Sequence, residues 1–187
     1  NNSVKKFIFA STQSVYTTYT QRTIPFTEDM GLEPDDFYGA LKTSAECDVL
    51  NSGINYVILR FSNIYGYGSG LYINKDSGAM GRFIRAGLEG TEITINGAGD
   101  QGIDYLHISD TCRAVLEIIE RDDINHEIFN VGSGKLFKIR DLAETVVKLS
   151  KEINNKDVTI KKIPAPEGSI WPDRLMSIEK IKKKIGW

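Results

Sequence analysis

Cysteine is scarce in this chain: there are two in 187 residues, Cys47 and Cys112, far apart and each within a helical pattern. That excludes a disulfide framework and a C-x-x-C metal or redox pair, and it fits a reducing cytoplasm. Histidine is equally scarce. His107 and His126 have no ligand-type neighbours at metal spacing, so both are expected to be structural and no metal site is expected. Neither sign of charge is in excess, since 23 Lys and Arg stand against 25 Asp and Glu for a net of −2 at pH 7. The basic residues are scattered, which argues against nucleic acid or an anionic membrane surface as a partner. The run Lys180 to Lys184 reads as the solvated face of a terminal helix. No apolar stretch approaches the ~20 residues of a membrane span, and no signal peptide is expected.

Hydrophobic residues make up 41% of the chain, enough for one sizeable core with an appended lobe. Phe7 to Ala10 and Tyr56 to Leu59 are short apolar runs bounded by polar residues, the pattern of strands covered on both faces in a parallel sheet. Between them, Asp35 and Asp36 are placed to cap a helix from Phe37 to Leu50, with Gly53 near its C′ position. Strand, helix, strand is one crossover unit. A Gly-rich region follows, then a helix near Met80 to Leu88, the strands "TEITI" and "IDYLHI", and a helix capped at Ser109 or Asp110 and running through Glu120. "EIFNVGS" reads as a buried strand, Ile139 to Val147 as a helix, "DVTIKKI" as an edge strand, and a last helix precedes "IGW".

"NGAGDQGIDYLHI" contains G-x-G-x-x-G at Gly97, Gly99 and Gly102. In a dinucleotide fingerprint such glycines lead from a strand into a helix, whose N-terminus faces the pyrophosphate. Here a strand follows Gly102, so the glycines read as a loop between two strands.

Chemistry concentrates elsewhere. "FYGALK" places Tyr38 and Lys42 four apart, on one face of a helix, and "FIFAST" ends a buried strand with the hydroxyls of Ser11 and Thr12. Reactive groups in parallel sheets gather beyond the carboxyl ends of the strands. A phenol with its ordinary pKa of about 10 is a poor base at neutral pH unless a cation stabilises the phenolate. Lys42 could supply that cation while Thr12 holds a substrate hydroxyl or carbonyl against Tyr38, a trio suited to moving a proton as a hydride moves to or from a cofactor.

With these residues in view, the chain resembles the extended short-chain dehydrogenase/reductases, the NAD-dependent epimerase/dehydratase enzymes of nucleotide sugars. "ASTQSVYT", "YGALK", "LRFSNIYG", the long segment "GRFIRAGLEGTEITINGAGDQGIDYLHISDTCRA", "FNVGSG" and "IEKIKKKIGW" follow the family's motifs in the family's order. The resemblance implies an α/β fold: the C-terminal part of a Rossmann-like parallel sheet with a smaller mixed α/β substrate-binding lobe. Residues 1–64 and 104–132 would be the remnant of the NAD-binding domain, and 65–103 and 133–187 the substrate-binding lobe. It implies Tyr38 as catalytic acid and base, Lys42 on the nicotinamide ribose, Thr12 aligning the sugar, and Ser11 and Phe61 beside the cofactor. Asn63 would lie near the substrate diphosphate. The cofactor would be NAD, with NADP open, the substrate a nucleotide sugar, and the parent enzyme a homodimer.

Departures from the family pattern narrow the expectation. Gln13 and Ser14 stand where the dehydratases carry Asp-Glu, which disfavours dehydration relative to epimerisation. Ile103 replaces the Arg that would pair with the substrate diphosphate, and Asn96 replaces an aromatic residue against the nucleotide base. Arg82, Arg85 or Arg174 are the candidates to supply the missing cation, and Thr17 replaces a loop glycine. An NAD(P)-dependent reductase or dehydrogenase on a non-nucleotide carbonyl compound, and a truncated non-catalytic relative, remain alternatives. The chain starts at Asn1, and the family's first ~100 residues, with its fingerprint, find no match in it. A fragment is therefore expected, binding NAD weakly or not at all by itself, with an open sheet edge.

Overall fold

A computed structural model describes residues 4–16, 23–66 and 78–187. Thr17 and positions 67–77 of the Gly-rich region lie outside the described residues. The elements run β1 (Phe7–Thr12), a 3₁₀ turn (Gln13–Val15), α1 (Phe37–Leu50), β2 (Tyr56–Phe61), β3 (Asn63–Tyr65), α2 (Gly78–Glu89), β4 (Ile93–Asn96), β5 (Gly102–Ile103) and β6 (Tyr105–His107). They continue as α3 (Ile108–Glu120), β7 (Glu127–Val131), β8 (Phe137–Lys138), α4 (Ile139–Asn154), β9 (Ile160–Ile163) and α5 (Glu179–Ile185).

The chain divides into two compact units, 1–66 with 104–135 and 172–187, and 67–103 with 136–171. The first contains the parallel sheet β1-β2-β7. Its register sets Thr12 beside Phe61 and Phe61 beside Val131, so the three strands end together. Val57, Leu59 and Phe61 alternate onto one face of β2 and pack with Ala114 and Ile118 of α3, Phe129 of β7 and Ile181 of α5. The period-2 alternation turns Ile58 and Arg60 to the other face. Residues 172–187, expected with the substrate-binding lobe, thus pack in the first unit, because burying Ile181 completes this core.

Asp104 organises the turns around it. Fully buried, its carboxylate accepts from the backbone N–H and hydroxyl of Ser133 (2.8 and 2.7 Å), the N–H of Gly134 (3.2 Å) and the N–H of Met176 (3.4 Å). Such saturation is what a buried carboxylate requires. The cap of α3 falls two or three residues earlier than the expected Ser109 or Asp110. His107 caps it, its Nδ1 accepting from the Ser109 N–H (3.3 Å), while Asp110 enters the first turn and pairs with Arg113.

The second unit has its own core, Phe83 and Ala86 of α2 against Ile93 and Ile95 of β4 and Ala143 and Val146 of α4. Among the described residues β9 pairs in parallel with β4 alone, and β8 antiparallel with β5. Gly97 and Gly99 take positive φ in the loop after β4. The carbonyls of Gly99 and Gln101 accept from the N–H groups of Arg140 (3.0 Å) and Ile139 (3.2 Å) at the start of α4, and Asp100 pairs with Arg140. The G-x-G-x-x-G spacing is therefore a loop between strands, and the helix N–H groups it meets are satisfied by its own carbonyls. Among the described residues no helix is long and apolar enough to cross a membrane.

Candidate active site

β1 delivers Ser11 and Thr12 to the carboxyl end of the sheet, and α1 delivers Tyr38 and Lys42. α1 starts where it does because Asp36 is extended and its Oδ1 accepts from the Gly39 N–H (2.5 Å). Its first turn is pressed onto the 3₁₀ turn that follows Thr12: a Cβ on Gly39 would lie 2.1 Å from the Ser14 carbonyl oxygen. Only glycine permits this approach, which fixes where the neighbouring Tyr38 emerges.

Tyr38 is about half exposed. The Lys42 ammonium lies 5.8 Å from the centre of its ring and 5.0 Å from that of Phe9, and donates to the Ala10 carbonyl (2.8 Å). Thr12 is buried, its hydroxyl accepting from the Ser14 N–H (3.2 Å). No hydrogen bond joins Thr12 to Tyr38. Ser11 is turned beneath the strand end, where it donates to Glu46. Phe61 packs in the core of the first unit, and Asn63, half-buried, is held by its N–H on the Asp104 carbonyl (3.1 Å).

Arg174 belongs to the same unit, half-buried, its carbonyl accepting from the Asp104 N–H (2.9 Å). Arg82 and Arg85 lie on α2 of the second unit, Arg82 exposed. Ile103 packs against that unit's core and Asn96 is exposed.

Directly beyond the paired ends of β1 and β2, Gln13 Oε1, Ser62 Oγ and Asn63 Nδ2 are buried with no hydrogen-bond partner among the described residues, as is Thr43 Oγ1 beside Lys42. Buried polar atoms are nearly always paired, so a concentration of orphans at strand ends fits a polar ligand. Among the described residues no group of three or more His, Cys, Asp or Glu is placed to hold a metal ion. A separate cavity of about 450 Å³, lined by Tyr56, His126 and Lys180 among others, lies at the amino ends of β2 and β7 and contains none of these residues.

Two charged side chains escaped the sequence reading. Glu46 is fully buried on α1 and Arg60 nearly so on β2, with Nη2 2.7 Å from Glu46 Oε2. The signal was present in "YVILRF", where a charge inside a covered strand requires a buried partner. Burial alone would lower the Arg60 pKa, but the hydrogen bonds and charge of Glu46, with Tyr16, raise it.

A parallel sheet with helices packed on it, its strand ends meeting a helix that carries a tyrosine and a lysine one turn apart, has the Rossmann-type fold. The model of the NAD dependent epimerase/dehydratase family matches residues 1–132, and the chain belongs to that family. The uncharacterized UDP-glucose epimerase YtcB of Bacillus subtilis is 30% identical over 179 residues, 92% of this chain and 53% of that protein. UDP-glucose 4-epimerase of Thermotoga maritima, solved with UDP-glucose, superposes with a TM-score of 0.82 at 30% identity, over 98% of this chain and 58% of that one. UDP-glucuronic acid 4-epimerase of Bacillus cereus, solved with UDP-glucuronic acid and NAD, gives a TM-score of 0.79 at 29% identity, over 99% and 56%. The chain spans about half the length of the curated relatives it matches.

Proposed function

We propose that this chain is the catalytic and substrate-binding part of an NAD-dependent sugar-nucleotide epimerase. The observation that carries the reading is Tyr38 and Lys42 on one face of α1, held against the end of the strand that bears Thr12. The chemistry that NAD supplies when bound is reversible acceptance of a hydride from a sugar carbon. The Tyr38 oxygen would take the proton of the hydroxyl on that carbon as the carbon is oxidised, and would give it back as the resulting ketone is reduced on its other face, so that the epimer forms with no net change in cofactor. Lys42 would favour the Tyr38 phenolate that accepts this proton through its positive charge, and would hold the cofactor ribose. Thr12 donates to the reacting sugar oxygen, and Asn63, with Arg174 of the same unit, receives the substrate diphosphate. The strand ends that carry Ser11 and Phe61 would border the nicotinamide side through their backbone, since the Ser11 hydroxyl is held by Glu46 and the Phe61 ring lies in the core. NADP could serve in place of NAD.

Gln13 and Ser14 hold no proton-transferring carboxyl beside Thr12, which supports epimerisation over elimination of water. The free, exposed Cys47 and Cys112 suit a reducing cytoplasm, and the exposed Phe37 and Leu41 of α1 suit a homodimer.

The test is to incubate the product of the complete gene with UDP-hexoses and NAD. Expected is convergence of two epimers from either side with no net NADH, and a loss of roughly 10²–10⁴-fold in turnover for Tyr38→Phe with NAD binding retained. Turnover kept in Tyr38→Phe would remove Tyr38 from the mechanism. One observation favours a second reading: Ile103, packed into a core, leaves no cation where the family pairs the diphosphate. A reductase or dehydrogenase of a non-nucleotide carbonyl compound would show reduced cofactor consumed, or formed, in proportion to product.

A further inference from the structure

We infer that Glu46 is a positioning residue for this reaction, a buried clamp that holds α1 in register against β1 and β2 so that Tyr38 and Lys42 address Thr12. The inference rests on the reading of Tyr38 and Lys42 given above.

Glu46 lies one helical turn beyond Lys42 and two beyond Tyr38, on the face turned to the sheet. Its carboxylate accepts from the hydroxyl of Ser11, the residue before Thr12, and from Arg60, the residue before Phe61. The Arg60 contacts are a fork, Nη2 at 2.7 Å from Oε2 and Nε at 3.1 and 3.2 Å from the two oxygens. One side chain therefore ties the helix to both strands. Arg60 Nη1 continues to the Tyr16 hydroxyl (2.8 Å), which donates to Asn130 Oδ1 (2.8 Å), so the network reaches β7.

The rest of α1 explains why a clamp is needed there. Its buried residues are Gly39, Glu46 and Val49, so apolar packing supplies it with one sizeable side chain. Stability alone does not account for the pair, because replacing a buried ion pair with apolar residues of like volume is often neutral or stabilising. Directionality is what an apolar pair cannot reproduce: a fork of charge-assisted hydrogen bonds specifies position and angle, whereas apolar side chains tolerate sliding.

The experiment uses the complete gene product in three forms: Glu46→Gln, Arg60→Lys and the double variant Glu46→Met/Arg60→Met. The double variant retains a folded protein if Glu46→Gln, with Arg60 left uncompensated, does not. Expected for the double variant is a Tm near that of the wild type, kcat for epimerisation lower by roughly 10²-fold, KM changed little, and faster amide exchange at Gly39 to Lys42, as misplacement of a reacting group produces. Arg60→Lys, which keeps the charge and loses the fork, is expected to fall in between. A double variant with wild-type kcat and unchanged exchange over those residues overturns the inference and leaves the pair a structural one. Tyr38→Phe in the same assay separates the two claims, since retained turnover there defeats the underlying reading, whereas the exchange measurement tests the clamp without reference to turnover.

Discussion

Tyr16 shows how far one buried hydroxyl can govern the molecule. It is fully buried, stacked on Phe26, with Arg60 donating to its oxygen and its own proton given to Asn130. Burial pushes its pKa from 10.0 up to about 12, against the opposing pull of Arg60. The folded state therefore disfavours the phenolate more than the unfolded chain does. The stability linked to this group is fully present below pH 10 and is lost as pH rises from 10 through about 12. At 1.36 kcal/mol per unit the linked loss is roughly 2–3 kcal/mol. Tyr16→Phe removes that alkaline slope but leaves Arg60 and Asn130 short of a partner, at a cost of about 1–3 kcal/mol at neutral pH. Urea midpoints at pH 8 and pH 11 should thus fall less for the variant than for the wild type. Equal falls would mean that Tyr16 ionises like an exposed phenol.

Among the elements, α1 carries the site and is the most sensitive to backbone approach. By intrinsic propensity Gly39→Ala should strengthen it by up to about 1 kcal/mol. The added Cβ would instead lie 2.1 Å from the Ser14 carbonyl oxygen and 2.9 Å from Pro34 Cβ. The backbone contact cannot be relieved by a rotamer change, and such overpacking costs typically 1–3 kcal/mol, so the clash wins. A lower Tm together with reduced turnover is expected, because Tyr38 moves with the first turn; a Tm at or above that of the wild type would show that α1 is not seated on the 3₁₀ turn. α3 offers a milder case. His107→Ala should cost about 1 kcal/mol through loss of the cap, and His107→Asn should keep most of it. Thermal melts of the pair decide the matter, and equal Tm values would rule out capping by His107.

For the whole molecule, the informative residue is Ile181, from the last helix, fully buried in the core built on β2, β7 and α3. Ile181→Ala should lower stability by 2–5 kcal/mol and speed amide exchange in β2 and β7. Unchanged protection in those strands would show that 172–187 is dispensable to the first unit. That grouping was not legible beforehand. Residues 133–187 read as one lobe on the strength of the family resemblance, and the return of the chain to an earlier core leaves no local mark. Elements with local signals were legible nearly to the residue: Phe37–Leu50 lies between Asp36 and Gly53, and Tyr56–Phe61 is an apolar run with clear ends.

Periodicity, caps and turn residues act between near neighbours, so the sequence by itself determined the parallel α/β architecture, the strand-to-strand nature of the glycine loop and the sharing of one helix face by Tyr38 and Lys42. Only the tertiary structure decided which charges leave water. Arg60, inside a covered strand, called for a partner without naming one, Glu46 looks like a solvated residue until α1 lies across β1 and β2, and His107 becomes a cap only when the backbone turns from β6 into α3. The physical reason is the same in both cases: the free energy of a buried polar group depends on its partners, and those partners are set by how the chain packs.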